Sequence, residues 1–296
     1  MYHIQFNEVQ NKLYDNYMKF SSSDMIYNCN QDIHMKKTIG IVLLTLLTVL
    51  SLAGCNVKPS SDNMETIGII GAMDEETDYL KDIANVTKTT TIASMDFCEG
   101  IIGNRKVVIV KCGMGKVNAG ICAHTLITIF GCSKIINTGV AGSLDSMLDI
   151  GDIVVSTEAV QHDFTVEVIG FQKGEIPYTG LYAFPADETL RAEVLNAAKQ
   201  IHLDTKIYEG RICSGDQFIS EPEQKDVIIA NFGGLCCEME GAAIAQACYL
   251  GNTPFVIIRA ITDKPDGSAA VDFDTFKAEA AQRCANIIEY MIENME

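Results

Sequence analysis

The chain has 296 residues, 48% of them hydrophobic, and its 39 acidic residues against 22 basic ones give a formal net charge of −17. This length and apolar fraction are sufficient for one large hydrophobic core. The acidic balance, with no basic cluster to offset it, excludes nucleic acid as a partner and excludes a membrane contact made through surface charge.

The N-terminal part has the layout of an export signal. In MKKTIGIVLLTLLTVLSLAGC, residues 35–55, two lysines precede an apolar run and small residues precede a cysteine. Leu52-Ala53-Gly54-Cys55 resembles the lipobox of bacterial lipoproteins, in which the chain is cut before the cysteine and the thiol carries the lipid. The alternative is an uncleaved anchor, although residues 38–54 are fewer than the roughly 20 that span a bilayer.

These features predict four segments. Export signals lie at the N-terminus, so translation is predicted to start at Met35 and residues 1–34 to be a non-native upstream extension. Residues 35–54 are the predicted signal peptide and 55–65 a polar tether, with lipid attached at Cys55. The globular domain is predicted over 66–296. The predicted location is therefore a membrane-anchored, extracytoplasmic one.

The cysteines favour a different compartment. Of 11 cysteines, Cys29 and Cys55 precede the predicted domain, which leaves nine within it. Nine is an odd number, no C-x-x-C pair is present, and most lie in apolar runs, so they are interpreted as small buried hydrophobes and not as disulfides or metal ligands. Free thiols suit a reducing compartment, which supports a cytoplasmic alternative. Export by an anaerobe would reconcile the two signals.

From Thr66 onward, apolar runs alternate with segments of helical spacing. Asp187 is a predicted N-cap. Because each strand candidate is apolar throughout, the pattern predicts one α/β domain whose central sheet is covered by helices on both faces. The predicted strands are 66–72, 106–116, 133–143, 152–163 and 253–262, and the predicted helices are 74–84, 117–130, 187–202, 241–250 and 272–295.

Polar residues gather where these strands end, which is where ligands bind in such sheets. In GAMDEE, three acids open a helix at a position where a phosphate could bind. Taken alone, Asp74 is predicted to be a helix cap, Glu75 a solvated acid, Glu240 a helix-start acid and Asp263 a turn residue. Arg259 is less ordinary, because a guanidinium within a buried apolar strand needs a partner.

Five motifs in register carry a family resemblance. GIIGAMDEE, NTGVAGSL, SGDQFI, EMEGAAIA and RAITD resemble the 5′-methylthioadenosine/S-adenosylhomocysteine nucleosidases of the nucleoside phosphorylase-like family, from about Ile67 to the C-terminus. The resemblance implies a single α/β domain with a central mixed sheet, a homodimer and no cofactor. It also implies hydrolysis of an N-glycosidic bond that releases adenine and a 5-thio-substituted ribose.

The resemblance also assigns the reacting groups. Glu76 matches the acid that activates the attacking water, and Asp263 matches the acid that protonates the leaving adenine. Arg259 lies where the family helps to orient water. This division fits the chemistry, because breaking a glycosidic bond builds positive charge on the sugar and commonly uses one acid and one base.

Other positions match substrate contacts. Met239 and Glu240 match the pair that holds the ribose, with the carboxylate accepting hydrogen bonds from both sugar hydroxyls. Phe218 and Ile219 match the adenine contacts, and Gly142 a glycine that lets the backbone approach the substrate.

A third group concerns the 5′-substituent and two departures from the family pattern. Ile169, Phe171 and Pro177 fall where relatives line the 5′-thio pocket, partly from the dimer mate. Val140 stands where many relatives have serine, and Thr165 where many have aspartate. These departures bear on the range of substrates and not on the two central acids.

The sequence therefore favours a nucleosidase acting on 5′-methylthioadenosine, S-adenosylhomocysteine and 5′-deoxyadenosine. A phosphorylase would need cations to hold phosphate, whereas the Asp74–Glu76 triplet disfavours an anion. A phosphate-dependent nucleoside phosphorylase and a lipid-anchored nucleoside-binding module are the alternatives. A binding module, however, needs neither water activation nor leaving-group protonation.

Overall fold

The computed structural model describes residues 65–201, 204–264 and 269–295. The predicted upstream extension, signal peptide, Cys55 and nearly all of the tether lie outside these residues. None of the helices in the described ranges combines the length and apolarity that crossing a membrane requires.

The described ranges contain ten strands, six α-helices and one 3₁₀ turn, Glu167–Ile169. The strands are β1 (Thr66–Gly71), β2 (Lys88–Ile92), β3 (Met95–Ile102), β4 (Arg105–Lys111), β5 (Lys134–Ser143), β6 (Ile153–Gln161), β7 (Phe184–Pro185), β8 (Ile207–Ser214), β9 (Cys236–Glu238) and β10 (Phe255–Asp263). The helices are α1 (Asp74–Ile83), α2 (Lys116–Thr128), α3 (Glu188–Gln200), α4 (Pro222–Phe232), α5 (Gly241–Leu250) and α6 (Ala269–Asn294).

All ten strands belong to one mixed sheet, in the order β10-β6-β8-β9-β5-β1-β4-β3-β2, with β7 beside β6. β10 also pairs with β5, so β10, β6, β8, β9 and β5 form a closed ring. β1 is parallel to β4 and β5, and β10 is parallel to β5. The parallel arrangement brings the carboxyl ends of β1, β5 and β10 to one edge of the sheet.

Two apolar layers cover the sheet. On one face α2 and α5 pack through small residues such as Ala123 and Ala245. On the other face α1, α3 and α6 bury larger side chains, among them Leu80, Val194 and Ile288. Alternate residues of β1 face opposite sides of the sheet, so this strand contributes to both layers. The prediction of a single α/β domain with a mixed sheet covered on both faces is thus confirmed.

Some local predictions are confirmed and one is wrong. Asp187 caps α3, since its Oδ1 accepts a hydrogen bond from the Leu190 N–H at 2.9 Å. Asp74 does not cap α1, because Met73 occupies the N-cap position and the Asp74 side chain instead pairs with Lys111. The nine cysteines of the domain are all buried and unpaired, in agreement with their interpretation as small hydrophobes.

Candidate active site

A cleft of about 680 Å³ opens at the edge where β1, β5 and β10 end. The loop after β1 and the first turn of α1 form one side, and the end of β10 forms another. Asp263 of β10 pairs in register with Gly142 of β5, which fixes the relation between these two walls. The lining residues are Ala72, Met73, Glu76, Met114, Val140, Ala141, Gly142, Gln217, Phe218, Ile219, Cys237, Glu238, Met239, Glu240, Thr262, Asp263 and Phe273.

Glu76 is a buried carboxylate held by the backbone. Its Oε2 accepts hydrogen bonds from the N–H groups of Ala72 at 2.5 Å and Met73 at 3.0 Å, and its Oε1 accepts one from Val140 at 3.1 Å. Burial raises the pKa of Glu76, while the Arg259 charge and these three N–H donors act in the opposite direction. A fixed carboxylate with a raised pKa is suited to accept a proton from water.

The two acids beside Glu76 face elsewhere. Asp74 is exposed and lies 2.8 Å from the ammonium of Lys111, and Glu75 is exposed with Lys277 at 3.7 Å. The helical spacing thus directs only the third acid of the triplet into the cleft. The prediction that Glu75 is a solvated acid is confirmed.

Asp263 is another buried acid in the cleft, with only 2% of its surface exposed. Its Oδ1 lies 3.0 Å from the Thr262 hydroxyl, and its Oδ2 accepts a hydrogen bond from the Lys225 ammonium at 2.9 Å. Burial raises the pKa of Asp263, and Lys225 and Thr262 partly offset that effect. A carboxyl with a raised pKa retains its proton more readily and can donate it.

Glu240 stands at the N-cap position of α5, but its side chain makes no capping hydrogen bond with that helix. Its Oε1 accepts a hydrogen bond from the Gly115 N–H at 2.8 Å. Burial and the neighbouring Glu238 raise the pKa of Glu240 to about 8. The half-buried Met239 lies beside it in the cleft wall.

Arg259 is fully enclosed and does not line the cleft. It donates to Glu238 Oε2 at 2.5 Å and to Asn137 Oδ1 at 2.6 Å. Glu238 in turn accepts from the Ser214 hydroxyl and from the N–H groups at the start of α5. The need for a partner, predicted from the sequence, is thus met by Glu238. The charge of Arg259 lowers the pKa of Glu76. The two side chains are near each other, because both border Gly139 and a Cβ added there would lie close to each of them.

The rest of the cleft wall is largely apolar. Phe218, 48% exposed, meets Phe273 of α6 edge to face, with ring centroids 5.5 Å apart. Ile219 is buried beside it, and Val140 adds an apolar surface next to Gly142. A flat heterocycle and a thioether are ligands of matching character for such a wall.

Three predicted residues do not line the cleft of their own chain. Ile169 is 66% exposed in the 3₁₀ turn, and Phe171 packs edge to face against the exposed ring of Tyr178. Pro177 is half-buried on the same segment. A contribution from the partner of a dimer, as the resemblance implies, stays a prediction for these residues.

The structure adds residues that the sequence did not single out. Met73 and Met114 follow β1 and β4. Their positions just after apolar strands could have indicated that they line the ligand-binding edge of the sheet. Phe273 comes from the closing helix, and no local pattern distinguishes it from the other apolar residues of that helix. Within the described part of the chain, no lysine or arginine lines the cleft.

Known proteins of similar sequence identify the family of this chain. The model of the phosphorylase superfamily matches residues 66–293. A 5′-methylthioadenosine/S-adenosylhomocysteine nucleosidase of Staphylococcus carnosus is 41% identical over 230 residues, covering 77% of this chain and 100% of the relative.

Solved structures extend the likeness. The nucleosidase of the same name from Neisseria meningitidis, in complex with methylthio-immucillin-A, has a TM-score of 0.75 and 34% identity over 78% of this chain and 100% of its own. A futalosine hydrolase of Helicobacter pylori has a TM-score of 0.75 and 31% identity, covering 78% of this chain and 99% of its own. On this agreement of fold and sequence, the chain belongs to the 5′-methylthioadenosine/S-adenosylhomocysteine nucleosidase family of the phosphorylase superfamily.

Proposed function

We propose that this protein hydrolyses the N-glycosidic bond of 5′-methylthioadenosine and S-adenosylhomocysteine, and also that of 5′-deoxyadenosine, releasing adenine and the 5-substituted ribose. The observation that carries the proposal is that Glu76 and Asp263 are two of four buried acids that line one cleft, and that no described lysine or arginine lines it. The relatives support the choice of substrate through the activity in their names.

In the proposed mechanism, Glu76 accepts a proton from the attacking water. Three backbone N–H groups hold its carboxylate still, so the base is positioned before substrate binds. Asp263 donates a proton to the leaving adenine, which is a poor leaving group until it is protonated. Arg259 is assigned an indirect role, in which its buried charge keeps Glu76 ionised.

The remaining contacts hold the substrate. Glu240 accepts hydrogen bonds from the ribose hydroxyls. The pKa of its carboxyl is raised in the protein alone, and these two donors favour the ionised form once the substrate is bound. Met239 packs on the sugar and excludes water. Phe218 stacks on the adenine, Ile219 contacts it through the backbone, and Gly142 lets the chain approach it.

We propose that the active form is a homodimer. Large apolar side chains are exposed on α2, namely Val117 at 72% and Ile121 at 43%, and Met114 just before it is 57% exposed. Val168 and Ile169 are also exposed on the segment after β6. Exposed apolar patches of this kind mark contact surfaces. Sedimentation at twice the chain mass would support the dimer, and a monomer that retains full activity would contradict it.

The phosphate requirement tests the reaction class. The domain from about residue 63 is incubated with 5′-methylthioadenosine with and without phosphate, and the sugar product is analysed by chromatography. We expect equal rates and a free 5-methylthioribose in both samples. A phosphorylated sugar, formed only with phosphate, would identify a phosphorylase, and binding without turnover would identify a nucleoside-binding module. The same assay is repeated with S-adenosylhomocysteine, 5′-deoxyadenosine and futalosine as substrates.

A further inference from the structure

Lys225 is a buried cation behind the cleft. It lies one turn into α4 and packs on the same inner side of that helix as Ile228 and Phe232. Among the described lysines, Lys225 alone is fully buried, with 0% of its surface exposed. Removing an ammonium from water is costly unless it is paired and hydrogen-bonded, so the position needs an explanation.

The partners of Lys225 lie at the end of β10. Its ammonium donates to Asp263 Oδ2 at 2.9 Å and to the Lys264 carbonyl oxygen at 2.9 Å. Lys225 does not line the cleft, so it can reach a bound molecule only through Asp263. An apolar residue would fill the same space on α4 without the desolvation cost of a buried ion pair, so stability alone does not account for this pair.

The contacts clamp Asp263 on two sides. Oδ2 is held by Lys225, and Oδ1 lies 3.0 Å from the Thr262 hydroxyl. The carboxyl also lies against Gly142 of β5, where an added Cβ would come within 2.8 Å of Oδ2. A proton donor aimed at one ring nitrogen of a purine needs such fixation.

We propose that Lys225 is a positioning residue that holds Asp263 in its donating orientation and supplies the proton that Asp263 passes on. The inference rests on the proposed role of Asp263 as proton donor. As the bond between sugar C1′ and purine nitrogen breaks, its electron pair stays on adenine, and Asp263 gives a proton to an adenine ring nitrogen. The Lys225 ammonium then transfers one proton to the carboxylate along their hydrogen bond, becomes a neutral amine, and regains a proton from solvent after product release.

Other charged groups also act on this pair. Asp272 near the start of α6 acts on Asp263 through its charge and favours its protonated form. The Cys237 thiol of β9 has its pKa raised to about 12 by burial, although Lys225 acts on it in the opposite direction, and it stays neutral near pH 7. Lys225 is the cation in direct contact with Asp263, and its charge and hydrogen bond lower the pKa of that carboxyl.

A pH profile separates proton supply from a structural role. Rates of 5′-methylthioadenosine hydrolysis are measured from pH 5.5 to 9.5 for the wild type and for Lys225→Met. Without Lys225 the pKa of Asp263 rises, so the carboxyl keeps its proton to a higher pH, but once ionised it has no ammonium to restore the proton. We therefore expect the ratio of wild-type to variant kcat to grow at least about tenfold towards pH 9.5. A ratio that stays constant with pH would overturn the proposal.

Lys225→Arg is the second variant, because it keeps the charge and the hydrogen bond but a guanidinium does not release its proton. We expect it to melt close to the wild type and yet to show the same loss of kcat at high pH as Lys225→Met. A wild-type profile in Lys225→Arg would overturn the proton supply. Lys206→Met, which removes a lysine paired with Asp149 at the surface, is the matched control and should leave the profile unchanged.

Asp263→Asn distinguishes a failure of the proposed role of Asp263 from a failure of the inference on Lys225. If Asp263→Asn retains activity, the proposed function of Asp263 fails. If Asp263→Asn is inactive but the ratio of wild-type to Lys225→Met kcat stays constant with pH, only the inference on Lys225 fails. We expect Lys225→Met to cause no further loss in the Asp263→Asn background, since Lys225 acts only through that carboxyl. An independent loss would overturn the proposal.

Discussion

Glu238 and Glu240 are two residues apart and both buried, yet their surroundings differ. Glu238 is neutralised by Arg259 and by N–H groups at the start of α5, whereas the described contacts of Glu240 are limited to a single N–H donor, that of Gly115. Glu240 therefore retains acceptor capacity on the cleft side, which a diol can use. This difference assigns a structural role to Glu238 and a ligand-binding role to Glu240.

Glu240→Gln should weaken recognition of the ribose. The substitution keeps the shape but turns one acceptor into a donor, so the discrimination between ribose and 2′-deoxyribose substrates should shrink by about tenfold, corresponding to one charge-assisted hydrogen bond. The measurement is kcat/KM for two substrates with each of two enzymes. An unchanged ratio would show that Glu240 is a helix-start acid and not the ribose clamp.

The same residue should make stability depend on pH. The pKa of Glu240 is raised from 4.5 to about 8 in the fold, chiefly by burial, so its contribution is fully present below pH 4.5 and is lost as pH rises through 8. Between these values the free energy of unfolding should fall by at most about 1.4 kcal/mol per pH unit from this group. In Glu240→Gln that fall should be smaller, as followed by denaturant unfolding from pH 5 to 8.5. Parallel curves for the two proteins would contradict the assignment.

At the scale of elements, the sequence predicted most reliably those strands that are buried on both faces of the sheet. β5 and β10 are continuous apolar runs, so they and the polar residues at their ends were predictable. β2, β3, β7, β9 and α4 were not assigned, because β2 consists mostly of polar residues, β7 has only two residues and α4 begins in the polar stretch EPEQKD. Lys225 was missed for the same reason, since it lies in this polar stretch and no apolar periodicity marks it as buried.

The packing of β5 against α1 gives a prediction at this scale. A Cβ on Gly139 would lie 2.6 Å from Glu76 Oε1, which is the end of a flexible side chain, so the fold can accommodate it by moving Glu76. Gly139→Ala should therefore lower kcat about tenfold or more, and it should also lower the melting temperature, because moving Glu76 disturbs the three hydrogen bonds that hold this buried carboxylate. In a Glu76→Gln background the same substitution should have little further effect. Independent losses in the two backgrounds would show that Gly139 acts by another route.

At the scale of the whole molecule, the predicted anchor and the thiols point to different compartments. All nine cysteines of the domain are buried, and burial raises the pKa of thiols such as Cys132 to about 12, so they are protected from oxidation by inaccessibility. Buried thiols of this kind are compatible with either compartment. The location of the protein therefore depends on residues 35–55 and not on the domain.

The anchor is tested in the host cell. If Leu52-Ala53-Gly54-Cys55 is a lipobox, the wild type should incorporate labelled fatty acid and partition with membranes, and Cys55→Ser should abolish the labelling and the cut before residue 55. The globular domain of both proteins should hydrolyse substrate equally, since the tether separates it from the lipid. A wild type that never acquires the label would contradict the lipoprotein assignment and favour a cytoplasmic protein.

The catalytic assignment concerns the cleft as a whole, because it divides one reaction between two buried acids on different elements. The most direct measurement is single-turnover kinetics with 5′-methylthioadenosine, which separates kcat from substrate binding in Glu76→Gln and Asp263→Asn, with the solvated neighbour variant Glu75→Gln as control. Each cleft variant should lose ~10²–10⁴-fold in kcat with binding changed only a few-fold, and Glu75→Gln should match the wild type. Near-normal turnover in either cleft variant, or an equal loss in Glu75→Gln, would contradict the account.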